Sequence, residues 1–172
     1  MPLEEVILVD EHDQVLGVAE KLAAHEQGLL HRAFSVFVFN TQGQLLLQQR
    51  AWHKYHSPGL WTNTCCSHPR PQEDILQAAQ RRCMEEMGIA LSLNEIFAFV
   101  YKAEFENGLI EHEYDHVFLG TYNEDPTLNR DEVAAFQWLS NDEIKKDLLV
   151  NPEHYTAWFK LCFERVLQYV NS

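Results

Sequence analysis

Between Ser67 and Gly88 one stretch of the chain limits the fold more than any other. Pro69-Arg70-Pro71 blocks regular structure. From Glu73 to Met87 the apolar positions Ile75, Ala79, Cys83 and Met87 recur every four residues, which is one face of a helix. Gly88 stands where a C-terminal stop belongs. The run-in, Trp61-Thr62-Asn63-Thr64-Cys65-Cys66-Ser67-His68-Pro69, places a thiol and an imidazole beside this glutamate-rich helix. A thiol serves as nucleophile, acid or metal ligand, and paired glutamates at a helix end can hold a divalent cation. The combination points to metal-assisted chemistry.

The rest of the chain alternates extended segments and turns. Val6 to Val9 and Val15 to Val18 read as strands about a turn at Glu11-His12-Asp13-Gln14, and residues 20–30 read as loop or short helix. Ala33 to Phe39 alternates small or polar residues with aromatics, as a strand does. Asn40-Thr41-Gln42-Gly43 is a hairpin signal, with Leu45 to Gln49 as the returning strand. Arg50 to Gly59 reads as an irregular loop carrying His53, Lys54 and His56. Ile96 to Phe105 and Glu113 to Tyr122 form a second predicted hairpin about Asn107-Gly108. Val133 to Leu139 is a further strand, with an edge position open to it. Asn141-Asp142-Glu143 opens a helix, and Pro152 is expected in the first turn of the last helix. Trp158, Leu161, Cys162, Arg165, Val166 and Tyr169 give that helix its amphipathic face. No internal repeat, linker or low-complexity tract interrupts the pattern. The sum is a single α+β domain over residues 1–172, a mixed sheet flanked by helices.

Composition narrows the function. A chain of 172 residues that is 46% hydrophobic can bury a sizeable core. Its 26 acidic residues against 13 basic ones give a formal charge of −13, which argues against nucleic acid and anionic membranes as partners. A small anionic substrate needs only a few local cations and stays open. Met1-Pro2-Leu3-Glu4-Glu5 has no basic n-region and no long apolar run follows, so neither a signal peptide nor a transmembrane span is expected. Cys65 and Cys66 are adjacent, and with Cys83 and Cys162 they make a poor disulfide framework. Reduced thiols in a cytoplasmic protein are the expectation.

The spacing Ser67-x5-Glu73-x7-Arg81-Arg82-Cys83-Met84-Glu85-Glu86-Met87-Gly88-Ile89 resembles the Nudix box, G-x5-E-x7-R-E-U-x-E-E-x-G-U with U aliphatic. Ser67 departs from its glycine and Arg82 from its first paired glutamate. Arg82 and Glu86 are four apart on one helical face, so the carboxylate could hold Mg²⁺ while the arginine meets a phosphate. A solvated helix with an ion pair fits the same spacing. His25, His31 and His68 lie in three separate segments, and Glu111 and Glu113 alternate on a strand toward one face. Three imidazoles and two carboxylates suit Zn²⁺, Mn²⁺ or Fe²⁺. With nine histidines in the chain, spacing alone does not reject His53, His56, His112, His116 or His154. Lys21, Arg50, Lys54 and Arg82 fall near these segments and could clamp a diphosphate, or simply solubilise the surface.

These pieces together resemble the type I isopentenyl-diphosphate Δ-isomerases. The matching segments are Glu20-Lys21-Leu22-Ala23-Ala24-His25, Leu30-His31-Arg32-Ala33-Phe34-Ser35, Gly59 through Pro69, Arg81-Arg82-Cys83 with Glu86-Met87-Gly88, and Glu111-His112-Glu113. They follow the family's order from about residue 5 to 160, and Trp-Thr-Asn-x-x-Cys-x-His-Pro is far more specific than the Nudix spacing. The isomerases carry a degenerate Nudix box, so both departures are expected. The resemblance implies a Nudix-like fold and a set of roles. Cys66 and Glu113 become the catalytic pair, one on each face of the isoprenoid. His25, His31, His68, Glu111 and Glu113 become ligands of a first divalent ion. Glu86 and the carbonyl of Cys66 would hold a Mg²⁺ that bridges to the diphosphate. Lys21, Arg50, Lys54 and Arg82 would contact that diphosphate. Tyr101 would hydrogen-bond near Glu113, and Trp158 would cover the hydrocarbon. The implied partner is a small isoprenoid diphosphate, and the implied state a monomer or weak homodimer.

Moving a double bond in a five-carbon diphosphate requires protonation of an unactivated alkene and loss of a proton from a neighbouring carbon. The intervening tertiary cation needs exclusion of water, a π-face or carboxylate beside it, and an acid and a base on opposite sides. Two other functions fit parts of the sequence. A Nudix hydrolase shares the fold and metal, although Arg82 replaces a glutamate such enzymes use. A non-catalytic domain with a structural zinc on Cys66 and His68 is the second.

Overall fold

The fold is described by a computed structural model covering residues 4–171; Met1-Pro2-Leu3, where the leader reading begins, and Ser172 lie outside the described residues. The first hairpin pairs β1 (Glu5–Val9) with β2 (Val15–Glu20). Asp10 Oδ1 accepts from the backbone N–H groups of His12 and Gln14 and closes its turn. Residues 20–30, undecided from sequence, form a short helix and its exit. Glu20 caps α1 (Lys21–Gln27) by accepting from the N–H groups of Leu22 and Ala23, and Gly28 ends it at φ 67°.

β3 (His31–Phe39) is the central strand. It runs parallel to β8 (Ile110–Thr121) along its whole length, from His31 opposite Glu113 to Phe39 opposite Thr121. β4 (Gln44–Arg50) returns from the expected turn but pairs with β3 only at Phe39 opposite Leu45. It then diverges to pair with β9 (Val133–Ser140) and the two-residue β5 (Trp61–Thr62). β6 (Cys65–Ser67) enters the opening and pairs with Phe34, Ser35 and Val36. Polar side chains stitch the split strands together. The Thr64 hydroxyl donates to the Leu46 carbonyl (2.7 Å) and accepts from the Val38 N–H (2.9 Å). The Asn63 amide donates to the carbonyls of Val36 (3.1 Å) and Cys65 (2.9 Å). Buried backbone groups that lose a sheet partner must find another, and the Thr-Asn-Thr run supplies it.

The alternation expected in Ala33–Phe39 does not appear as burial, because every one of these residues is buried. The sheet is covered on both faces, which removes the solvent side that alternation implies. Phe34, Val36, Val38 and Leu46 pack against Ala79, Cys83 and Met87 of α2 (Ile75–Met87). On the other face Phe37, Leu45 and Leu47 pack against Phe159, Phe163 and Val166 of α4 (Ala157–Val170) and Ile144 of α3 (Asn141–Val150). Each fully buried phenylalanine contributes about 1.5–3 kcal/mol.

α2 starts two residues later than its periodicity suggests, since Asp74 caps it by accepting from the Gln77 N–H. Gly88 ends it at φ 64°, and a Cβ there would meet the Thr127 carbonyl oxygen at 2.7 Å. The second hairpin pairs β7 (Asn94–Glu104) with β8 and sets Tyr101 opposite Glu113 and Ala103 opposite Glu111. Among the described strands β9 pairs with β4 alone, an edge position. The last helix differs from expectation. Pro152–His154 is a separate 3₁₀ turn, and α4 opens after Thr156, whose side chain accepts from the Phe159 N–H. Thr156 cannot continue the turn because it is tied to β5, its N–H donating to the Trp61 carbonyl (3.0 Å) and its hydroxyl to that of Thr62 (2.8 Å). The buried stripe is also rotated. Trp158, Cys162 and Val166 face inward with Phe159, Phe163 and Leu167, whereas Leu161 is 58% exposed and Tyr169 44%.

Candidate active site

A cavity of about 220 Å³ gathers residues from β4, β6, β8, α2 and α4. Cys66, His68, Glu111, Glu113 and Trp158 line it, together with Lys21, Arg50, Lys54, Arg82 and Glu86. His25, His31 and Tyr101 are buried and reach it through the side chains they touch. Strand alternation explains the carboxylates, since Glu111, Glu113, Asp115 and the core residue Val117 share one face of β8. Cys66 reaches the cavity because β6 buries Cys65 on the opposite side, among the residues packed on α2.

The histidines converge with their lone pairs inward. His25 Nδ1 donates to the Lys21 carbonyl (2.7 Å) and His31 Nδ1 to the Leu29 carbonyl (2.8 Å). A carbonyl only accepts, so both rings keep Nε2 bare. His25 Nε2 is buried with no hydrogen-bond partner. His31 Nε2 lies 3.2 Å from His68 Nε2 and 3.3 Å from Glu113 Oε2, and His68 Nε2 lies 2.8 Å from Glu113 Oε2. Imidazole nitrogens and a carboxylate oxygen held this close could hold a divalent ion. Ligand atoms of His25, His31, His68 and Glu113 lie within 4.8 Å of one another, and those of His25, His56 and Glu111 form a second such group. The five-donor set read from the sequence therefore divides over two groups that share His25. His56, which spacing did not single out, joins it. Cys66 Sγ is in neither group, which separates the thiol from the imidazoles and from a Cys66–His68 zinc.

Proton accounting links the carboxylates. The Tyr101 hydroxyl bonds to Glu111 Oε1 and to Glu113 Oε1, yet it carries one proton. Burial and the neighbouring Glu113 push Glu111 well above the usual carboxylate range. Burial pushes Glu113 up as well, but the imidazoles of His31 and His68 beside it outweigh burial and hold Glu113 well below that range. Glu111 therefore donates to Tyr101 and Tyr101 donates to Glu113, a line of protons ending on a charged carboxylate. For Cys66 burial wins: it raises the thiol above its ordinary range, Arg50 opposes, and Glu86, Glu111 and Glu113 add to the rise. The sulfur is held as a thiol.

On the other wall the cations are mostly paired. Arg82 donates to Glu86 Oε2 (2.8 Å) and to Glu85 Oε1 (2.9 Å), so the Arg82–Glu86 spacing is a part-buried ion pair and not a solvated one. Gln48 donates to Glu86 Oε1 (3.1 Å) and to the Thr64 carbonyl (2.7 Å), fixing the carboxylate from its other side. Lys54 pairs with Glu132, and Lys21 Nζ with Glu4 Oε2 at 3.1 Å. Arg50 is in no ion pair among the described residues. Its guanidinium lies over the Trp158 ring, 5.3 Å from the centroid. Gln48, Glu132 and Glu4 carry no signal in the sequence, since each is one polar residue among many.

The NUDIX domain family matches residues 29–159 of this chain. The isopentenyl-diphosphate Delta-isomerase of Pectobacterium atrosepticum is 53% identical over 169 residues, covering 98% of this chain and 94% of that protein. Isopentenyl-diphosphate Delta-isomerase 2 of Aromatoleum aromaticum is 52% identical over 164 residues, 95% of this chain and 87% of that protein. The chain belongs to the isopentenyl-diphosphate Delta-isomerase family. The crystal structure of a Deinococcus radiodurans protein superposes with a TM-score of 0.71 at 21% identity, over 86% of this chain and 90% of that one, a likeness of fold. Among the described residues no helix is long and apolar enough to cross a membrane. The Cys66 thiol and the Glu113 carboxylate line one and the same cavity.

Proposed function

We propose that this chain interconverts isopentenyl diphosphate and dimethylallyl diphosphate by protonation and deprotonation, with Cys66 and Glu113 as the two proton-handling groups. The observation that carries the reading is their shared cavity, whose walls also hold four cationic side chains and the Trp158 ring. Family membership supports the same activity. Glu113 offers Oε2 to the histidines and keeps Oε1 on Tyr101, so one oxygen is oriented while the other exchanges a proton with the hydroxyl. The proton reaches the terminal methylene of the alkene, and a proton leaves the carbon next to the diphosphate-bearing arm. Cys66 handles the proton on the opposite face. Starting as a thiol, Cys66 gives its proton to the alkene and is left as a thiolate while the charged Glu113 carboxylate takes the proton that leaves; in the reverse direction the protonated Glu113 gives and the thiolate receives. Trp158 and the Glu113 carboxylate stabilise the tertiary cation between these steps.

The diphosphate is a handle and is not cleaved. Lys21, Arg50, Lys54 and Arg82 receive it, and the carboxylates of Glu4, Glu86 and Glu132 hold three of these cations in place beforehand. Glu86 and the Cys66 carbonyl would hold a Mg²⁺, which would offset the charge of the diphosphate. His25, His31, His68, Glu111 and Glu113 would hold a first ion, Zn²⁺, Mn²⁺ or Fe²⁺, which fits their bare nitrogens. When bound, these ions orient carboxylates and neutralise charge. A charge of −13 supports a protein acting in the cytoplasm away from anionic membranes, as a monomer or weak homodimer. Incubating the metal-loaded protein with isopentenyl diphosphate and following both products tests the reading. Dimethylallyl diphosphate without free phosphate is expected, and phosphate release without isomerisation would replace it with diphosphate hydrolysis.

A further inference from the structure

We infer that His56 donates a ring nitrogen to the ion of the His/Glu site, entering from the side of His25 and Glu111 and giving that ion a sixth protein donor. The inference rests on the reading above that these histidines and glutamates bind a divalent ion. His56 sits in the loop between β4 and β5, where nothing in the local pattern demands a buried histidine, yet it is 6% exposed. Its ring stacks on His25 (5.6 Å between centroids, 21° between planes) and on Phe105 (5.2 Å, 15°). Nε2 lies 3.5 Å from Glu111 Oε2, too long for a strong hydrogen bond, and Nδ1 is buried with no partner at all. A buried imidazole ordinarily satisfies its nitrogens. The neighbouring His25 Nε2 is orphaned too, 4.0 Å from the same Glu111 oxygen.

Donors at about 2.1 Å from one ion stand roughly 3–4 Å from each other. The contacts around this cluster, 2.8, 3.2, 3.3, 3.5 and 4.0 Å, fall near that range. The Arg50 guanidinium donates to the His56 carbonyl (3.3 Å) and fixes the loop that carries it. Four nitrogens and two carboxylates close the ion off from water. That makes it an orienting ion, and leaves proton transfer to Cys66 and to the Tyr101 side of Glu113.

The test uses metal-free full-length chain titrated with Zn²⁺ against a chromophoric chelator, together with thermal melts with and without Zn²⁺. His56→Phe keeps the stacked ring and removes the donor. It should bind Zn²⁺ about 10–100-fold more weakly, with the metal-free melt unchanged and a smaller Zn²⁺-induced rise. His56→Gln, smaller and polar, should weaken binding likewise if the phenylalanine does not fold. His154→Ala, on the exposed 3₁₀ turn, should bind as the parent does. Unchanged affinity in both His56 variants, with His68→Ala weakened, overturns the inference and leaves the metal site standing. A metal-free melt lowered by His56→Phe at unchanged affinity assigns His56 to packing and also overturns it. Unchanged affinity in His68→Ala as well, or no Zn²⁺ uptake by the parent, overturns the metal reading and the inference together.

Discussion

Cys66 and Glu113 differ in what they ask of the protein around them. Cys66 is a small side chain at a cavity wall, and its removal leaves packing intact. Cys66→Ser should melt within about 2 °C of the parent while isomerisation falls by roughly 10²–10⁴-fold; a collapse of the melt would favour a structural sulfur. The raised thiol pKa has a readable sign. Alkylation needs the thiolate, and a raised pKa keeps the thiol form above the ordinary value near 8.5. In metal-free protein, the rate at Cys66, localised by mass spectrometry, should still climb with unit slope beyond about pH 9. A plateau below the ordinary thiol value would mean that Arg50 outweighs burial. Glu113 has no such simple substitution. Replacing it strands the His31 and His68 nitrogens and breaks the proton line through Tyr101, so stability and activity should fall together.

The split of β3 from β4 makes the site possible, and it shows where reading a sequence stops. Asn40-Thr41-Gln42-Gly43 marks the turn correctly because turn chemistry is local. The divergence of the strands is set by β6 inserting from more than twenty residues away, which no local signal carries. The Trp61–Pro69 motif was legible as specific. The reason for its polar residues, hydrogen-bonding the open strands and tying α4 to β5, became visible only with partners in place. Asn63→Ala would leave two buried carbonyls and the Thr62 hydroxyl short of a partner. It should cost about 2–4 kcal/mol in a denaturant melt and lower activity through Cys66 placement. Loss of less than about 0.5 kcal/mol would show that the opening is held by other groups. The α4 phase was misjudged for a related reason. Both neighbours of an apolar stripe were apolar, and the tether at Thr156 decided which faced inward.

Across the whole molecule, most of the residues that line the cavity were readable because they carry reactive or charged side chains in motifs of fixed order. Cys66, His68, Glu86 and the paired glutamates on β8 could be named before any contact was known. His56, Gln48 and Glu132 could not, since a single polar residue on a loop or strand has no period and no spacing to betray it. The core is likewise split into two clusters by the sheet, and the cavity opens on residues drawn from both sides. Ion binding to four or more preplaced donors should therefore stabilise the entire fold. A chelator should lower the melting temperature, and an ion at about a hundredfold above its Kd should restore about 2.7 kcal/mol; no shift would mean the donors do not act on a common ion. The most direct test of the central claim is to run the reaction in heavy water and read the product by NMR. Deuterium should enter the new methyl group of dimethylallyl diphosphate, and Cys66→Ser should abolish its appearance. Isomerisation with no solvent deuterium in the product would contradict the account.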